Sequence, residues 1–258
     1  MRWLCAVAIT SILLPAGAAL AQEEPNLEFF YPVVTRRPVI ERELELRTKY
    51  EKSGGNRGIE TFGSIEYPIL PWWQIELEIP VVVNDPAAGP STAGFGDIEL
   101  ENKFLLYKSV EHRALVAGGL ELKLPSGSMS RGLGGEFSVE PFLSAGVALG
   151  PFDLLASISY EWVLNGSSRP REQELEWNIA LGYPFSRWFT PFVELNSVTQ
   201  TAGVRDEGNI IGKVQMYMTP GFNVRPLPGM TFRAGVQLPL TSARTFDFAI
   251  HAGLVWEF

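Results

Sequence analysis

From about residue 40 to the C-terminus, apolar and polar side chains alternate with period two, in stretches separated by turn-forming clusters. Ile98-Glu99-Leu100-Glu101 is typical: acid and aliphatic take turns, as they do on a strand with one apolar and one polar face. Twelve such stretches are predicted, at 40–51, 59–68, 73–84, 95–108, 113–124, 136–149, 153–164, 174–184, 188–199, 209–224, 229–240 and 246–258. No amphipathic helix longer than a turn or two interrupts them, so the expected class is all-β.

The predicted connections alternate in length. Short ones fall at 70–71, 109–112, 150–152, 184–187 and 225–228; longer ones at 53–58, 84–94, 125–135, 165–173, 200–208 and 241–245. A meander whose two ends differ in this way matches the short turns and longer outer loops of a membrane barrel. The expected fold is a transmembrane antiparallel up-and-down β-barrel of about 12 strands, with both chain ends on the short-turn side.

A soluble barrel would show the same alternation, and three features choose between the two. The last strand puts Phe248, Ile250, Leu254, Trp256 and the terminal Phe258 on one face, resembling the C-terminal assembly signal of bacterial outer-membrane proteins. Aromatics gather at strand ends: Trp72, Trp73, Trp188, Phe189 and Trp256 toward the short turns, Tyr50, Phe95, Phe137, Trp162 and Trp177 toward the long loops. Such paired girdles suit the two membrane interfaces. The polar face is also rich in small residues (Gly119, Ser144, Gly146, Ala180, Gly182, Gly235, Gly253), an economy that a narrow lumen requires and a solvated surface does not. The polar face is therefore assigned to the inside.

The N-terminus changes the picture. Residues 1–21 combine Arg2, an apolar run from Leu4 to Leu14 and an Ala19-Leu20-Ala21 end, the anatomy of a secretory signal peptide. The expected division is a signal peptide at 1–21, an N-terminal segment at 22–38 and the barrel at 39–258. Two placements are open for 22–38: a periplasmic tail, or a small plug with Phe29, Phe30 and Tyr31 inside and Arg36 and Arg37 meeting lumen acids. Cys5, the one cysteine, leaves with the leader, which removes disulfides and thiolate metal sites from consideration. With 29 acidic residues against 21 basic ones, nucleic acid is not an expected partner.

The inward positions collect charge. The expected lumen lining is Glu43, Glu45, Arg47, Lys49, Glu76, Glu78, Asp97, Glu99, Glu101, Lys103, Glu121, Lys123, Glu161, Glu176, Glu194, Lys213, Arg233 and His251, an acid-dominated set that favours cations and calls for ion pairs between strands. Only His112 and His251 are available for acid–base chemistry. A Ser–His–acid set drawn around His251 and Asp247 is no more than such a crowded lumen permits, so no catalytic residue, metal or cofactor is expected.

Two motifs carry a family resemblance. Gly94-Phe95-Gly96-Asp97-Ile98-Glu99-Leu100 followed by Lys103, then Leu122-Lys123-Leu124-Pro125-Ser126-Gly127, resembles outer-membrane proteins of the putative meta-pathway of phenol degradation family, as do Met218-Thr219-Pro220-Gly221 and Gln237-Leu238-Pro239-Leu240. Ser126 stands where threonine is usual. The resemblance implies passage of small, often hydrophobic compounds across the bacterial outer membrane. The expected function is a passive pore or facilitator; a closed structural or binding barrel is the alternative, and a lipid-acting hydrolase the third. Expected partners are outer-membrane lipid, the barrel-assembly machinery through the strand ending at Phe258, and a small-molecule solute.

Overall fold

The computed structural model describes residues 27–165, 172–203 and 210–258; the expected signal peptide and residues 22–26 lie outside them. The strands are β1 (Glu43–Ser53), β2 (Asn56–Leu70), β3 (Trp73–Asp85), β4 (Thr92–Phe95), β5 (Ile98–Ser109), β6 (Ala114–Leu124), β7 (Ser138–Leu149), β8 (Phe152–Val163), β9 (Gln173–Gly182), β10 (Phe189–Ala202), β11 (Val214–Leu227), β12 (Met230–Pro239) and β13 (Phe248–Glu257). Each pairs antiparallel with its neighbours, and β1 closes the sheet on β13 from Glu43↔Glu257 to Lys52↔Phe248. Because β4 and β5 are two parts of one stave against β3, the barrel has twelve staves, as the period-two pattern predicts.

The pleat sends alternate residues to opposite faces, and burial separates those faces cleanly. On β3, Gln74, Glu78 and Val82 are buried inside while Leu77, Ile79 and Val81 are exposed outside. Leu46, Ile65, Leu143, Ile158, Ile179, Leu181, Leu238, Ile250 and Leu254 continue this exposed apolar band around the wall. In water so large a patch would drive association; in a bilayer it is the lipid face. Trp72, Trp188, Trp256 and Phe258 flank the band at the short-turn end, Phe95 and Trp162 at the other, all exposed. Polar groups on this face pair with one another: Thr48 bonds Thr61 across the strands at 3.1 Å, and the Trp73 indole donates to Asn102 at 3.3 Å. Lipid offers no other partner for them.

Three local features differ from expectation. The 53–58 connection is a two-residue turn at Gly54-Gly55, with Ser53 paired to Asn56 and Gly54 at φ 58°, a conformation glycine adopts without a Cβ clash. The strand expected at 95–108 breaks at Gly96-Asp97, and a bulge near Leu106 shifts its register before the next turn. The stave expected from 209 begins at Val214.

Candidate functional site

The described part of the N-terminal segment enters the barrel from the short-turn end, bends at Val33–Thr35 and returns to β1. Its first residues build an apolar layer. Phe29 and Phe30 are 2% and 3% exposed and pack with Leu27, Val39, Leu115, Leu155, Ala180 and Phe192, the rings of Phe30 and Phe192 lying 5.3 Å apart. The wall is hollowed to receive them. A Cβ at Gly182 would collide with the Phe30 ring, and one at Gly146 would stand 2.9 Å from Phe29. Gly146 and Gly182 are therefore seats for the segment, whereas Gly119 makes room for the Phe142 ring and Gly253 for the Arg233 side chain.

Polar contacts grip the bend. The Glu194 carboxylate is fully buried; it accepts the Val33 N–H at 2.6 Å, the Thr35 N–H at 2.8 Å and the Thr35 hydroxyl at 2.7 Å, with the Val34 N–H at 3.3 Å. Asn223 holds Tyr31 from both sides, accepting its N–H and donating to its carbonyl, each at 2.7 Å. Arg233 donates to the Pro32 carbonyl and to Glu45. The Tyr31 hydroxyl reaches Glu257 at 2.6 Å and Glu43 at 2.9 Å, while the Arg37 guanidinium lies 3.6 Å over the Tyr31 ring and pairs with Glu41.

Strand register reveals what the segment is held against. Glu257, Glu43, Glu66, Glu76, Glu101, Glu121 and Glu140 face one another in unbroken succession across β13, β1, β2, β3, β5, β6 and β7. Like charges directly opposite destabilise a sheet, so this belt of glutamates needs cations. Arg36 supplies one, its guanidinium pairing with Glu101 at 2.5 Å and with Glu121 and Glu140 at 2.8 Å each, 4.7 Å over the Phe142 ring. Lys103 supplies another, 3.1 Å from Glu66.

Other expected lumen residues form pairs nearby: Arg47 with Glu78 at 2.6 Å, Lys123 with Glu161 at 3.3 Å and Glu99 at 3.5 Å, and Lys49 with Glu51 at 2.9 Å. Glu76 and Glu176 line a central cavity of about 200 Å³. His251 bonds Gln237 at 3.0 Å and, with Glu60, Phe62, Tyr217 and Phe246, lines a second chamber of about 370 Å³ nearer the long loops. A third cavity of about 610 Å³, at the short turns, lies beneath Leu27, Phe29 and Phe30 and shares no lining residue with the other two. Lys213 is a correction: it stands exposed in the turn ahead of β11, because that strand starts one residue later. Asp247 is likewise in a loop, where the Gly54 N–H, with Arg244 at 3.0 Å, holds its carboxyl below the usual range.

Asp97 faces inward but serves a loop. It accepts the N–H groups of Gly127 at 2.7 Å, Gly135 at 2.8 Å and Glu136 at 3.0 Å, while the Ser126 hydroxyl accepts from Ile98 N–H and donates to Gly96 carbonyl. The two motifs singled out in the sequence are thus one hydrogen-bonded latch, and serine supplies the hydroxyl as threonine would. Asp97→Ala leaves three donors without their acceptor, at about 1–3 kcal/mol for each that stays buried. The expected result is faster proteolysis within 125–137, with the heat-modifiable gel mobility of the folded barrel retained.

A sequence profile of the family described as Putative MetA-pathway of phenol degradation matches residues 47–250. Among solved structures, an outer membrane channel from Pseudomonas putida F1 has a TM-score of 0.64 at 13% identity, over 90% of this chain and all of its own. The NanC porin has a TM-score of 0.59 at 12% identity, covering 83% of this chain and 100% of its own, and the KdgM porin 0.54 at 12%, covering 84% and 99%. At such identities the likeness is one of fold. No curated protein matches the chain.

Proposed function

The chain belongs to the family described as Putative MetA-pathway of phenol degradation, and from that premise we propose that it is a passive outer-membrane channel for small molecules, kept narrow by its own N-terminal segment. The observation that carries this reading is the division of a charged lumen by one apolar layer built on Phe29 and Phe30. A twelve-strand barrel is wider than the eight-strand kind that side chains fill, and here cavities remain on both sides of the layer. The layer belongs to a short segment outside the sheet, which can move without breaking a wall strand. Hydrophobic solutes fit the layer itself, whose displacement would expose an apolar constriction between the cavities on its two sides.

The test is electrical. Purified full-length protein in planar bilayers is expected to give brief, small single-channel events that prefer cations, since ten carboxyls but only five basic side chains line the central cavity. Replacing Glu76 and Glu99 by glutamine should lower that preference, read as a smaller reversal potential in a KCl gradient. Electrical silence together with no solute uptake by liposomes would favour the closed structural barrel.

A further inference from the structure

The glutamate belt is occupied by a group that is not part of the wall. Arg36 comes from the inner segment, yet its guanidinium meets carboxylates of three successive strands and an aromatic face, the environment that a guanidinium or amine ligand would seek. We propose that Glu101, Glu121 and Glu140, with the Phe142 ring, form a binding site for solutes bearing a guanidinium or primary amine, and that Arg36 is its intramolecular occupant. This deepens the channel reading by naming a substrate class, and it rests on that reading only for passage, not for binding.

A second observation points to a ligand. Glu101 is 6% exposed, and its Oε1 is buried without a hydrogen bond, Lys103 Nζ being 3.7 Å away. Arg36 thus satisfies one oxygen of Glu101 and leaves the other short of a donor. Glu76, paired with Glu101 across β3 and β5, lines the same central cavity as Glu101. A free guanidinium or ammonium is not tethered to a backbone fixed by Ser157 and Glu194, so it can reach both. Competition for the belt would loosen the segment: a cationic solute that replaces Arg36 removes the segment's contacts to three strands at once, and solute binding is thereby linked to opening.

The probe is n-propylguanidinium, the arginine side chain without its backbone, titrated calorimetrically into full-length protein in detergent. Arg36→Ala should bind it at least tenfold more tightly than the unaltered protein, and adding Glu121→Gln should reverse that gain. Folding of each variant is checked by heat-modifiable mobility. Should Arg36→Ala fail to fold, Arg36→Lys, whose ammonium cannot span three carboxylates in the same plane, is expected to bind the probe more tightly than the unaltered protein. Absence of binding to the folded variant, or binding indifferent to Glu121→Gln, overturns the proposal. Binding by a protein that is silent in bilayers and passes no solute into liposomes would sustain the site and overturn the channel; conduction without binding would do the reverse.

Discussion

Deleting residues 22–37 is expected to turn brief, small openings into a steady conductance, with the time-averaged current raised about tenfold or more, as removal of a state that dominates the equilibrium implies. The segment is not part of the sheet: β1 begins at Glu43 and pairs with β13 and β2 through its own backbone. The barrel should therefore still fold and keep its heat-modifiable mobility. What is lost is the plug. Burying Phe29 and Phe30 contributes about 1.5–3 kcal/mol each, and a gap of a few kcal/mol keeps the alternative state at roughly the 0.1–10% level. Cation preference should rise as well, because Arg36 and Arg37 leave while every belt glutamate stays. A slightly lower melting temperature is expected from the uncovered carboxylates, moderated by water entering the lumen. An unchanged current after deletion would mean that the segment does not limit the path.

The wall was legible in the sequence because a strand's period is two and lipid demands an unbroken apolar face. A slip of one residue would turn a whole row of glutamates outward, so the phase of each strand is fixed, and Glu99, Glu101, Lys123 and Glu194 all fall inside as the alternation requires. Turns were harder. Gly54-Gly55 reads as part of a six-residue loop, since nothing in the composition says that Ser53 and Asn56 continue the ladder. Lys213 has the right phase for the lumen but lies beyond the strand end, where phase has no meaning.

The interior was less legible, since pairing register cannot be read from one strand at a time. Each belt glutamate is visible in the sequence, whereas their alignment into a row of seven is a property of the assembled sheet. The place of the segment at 27–41 had no periodic signal. There was, however, an indirect one: Leu115, Leu155 and Phe192 are apolar at inward positions where a water-filled lumen would be polar, and all three lie in the short-turn half that Phe29 and Phe30 occupy. Apolar residues on the lumen face at one level of a barrel, with glycines beside them, are the mark of something apolar inside.

Replacing Glu194 by alanine is the second large effect expected, and it separates the grip on the bend from the apolar layer itself. One carboxylate accepts from Val33, Thr35 and the Thr35 hydroxyl, so a single side chain on β10 holds the tip of the bend, with Asn223, Arg233 and Ser157 holding the residues on either side of it. Its loss leaves those donors unpaired, at about 1–3 kcal/mol for each that stays buried, unless the bend moves into water. Moving is the cheaper course. Open time in bilayers should therefore rise toward that of the deletion, while wall stability changes little, since the backbone pairs of β10 with β9 and β11 are untouched. Glu194→Gln is the informative control: its amide nitrogen would face an N–H donor at either oxygen position, so its one remaining oxygen restores only part of the grip. Were Glu194 only one more lumen charge, Glu194→Gln would lower cation preference and leave open time unchanged. If it grips the bend, open time lengthens in both variants.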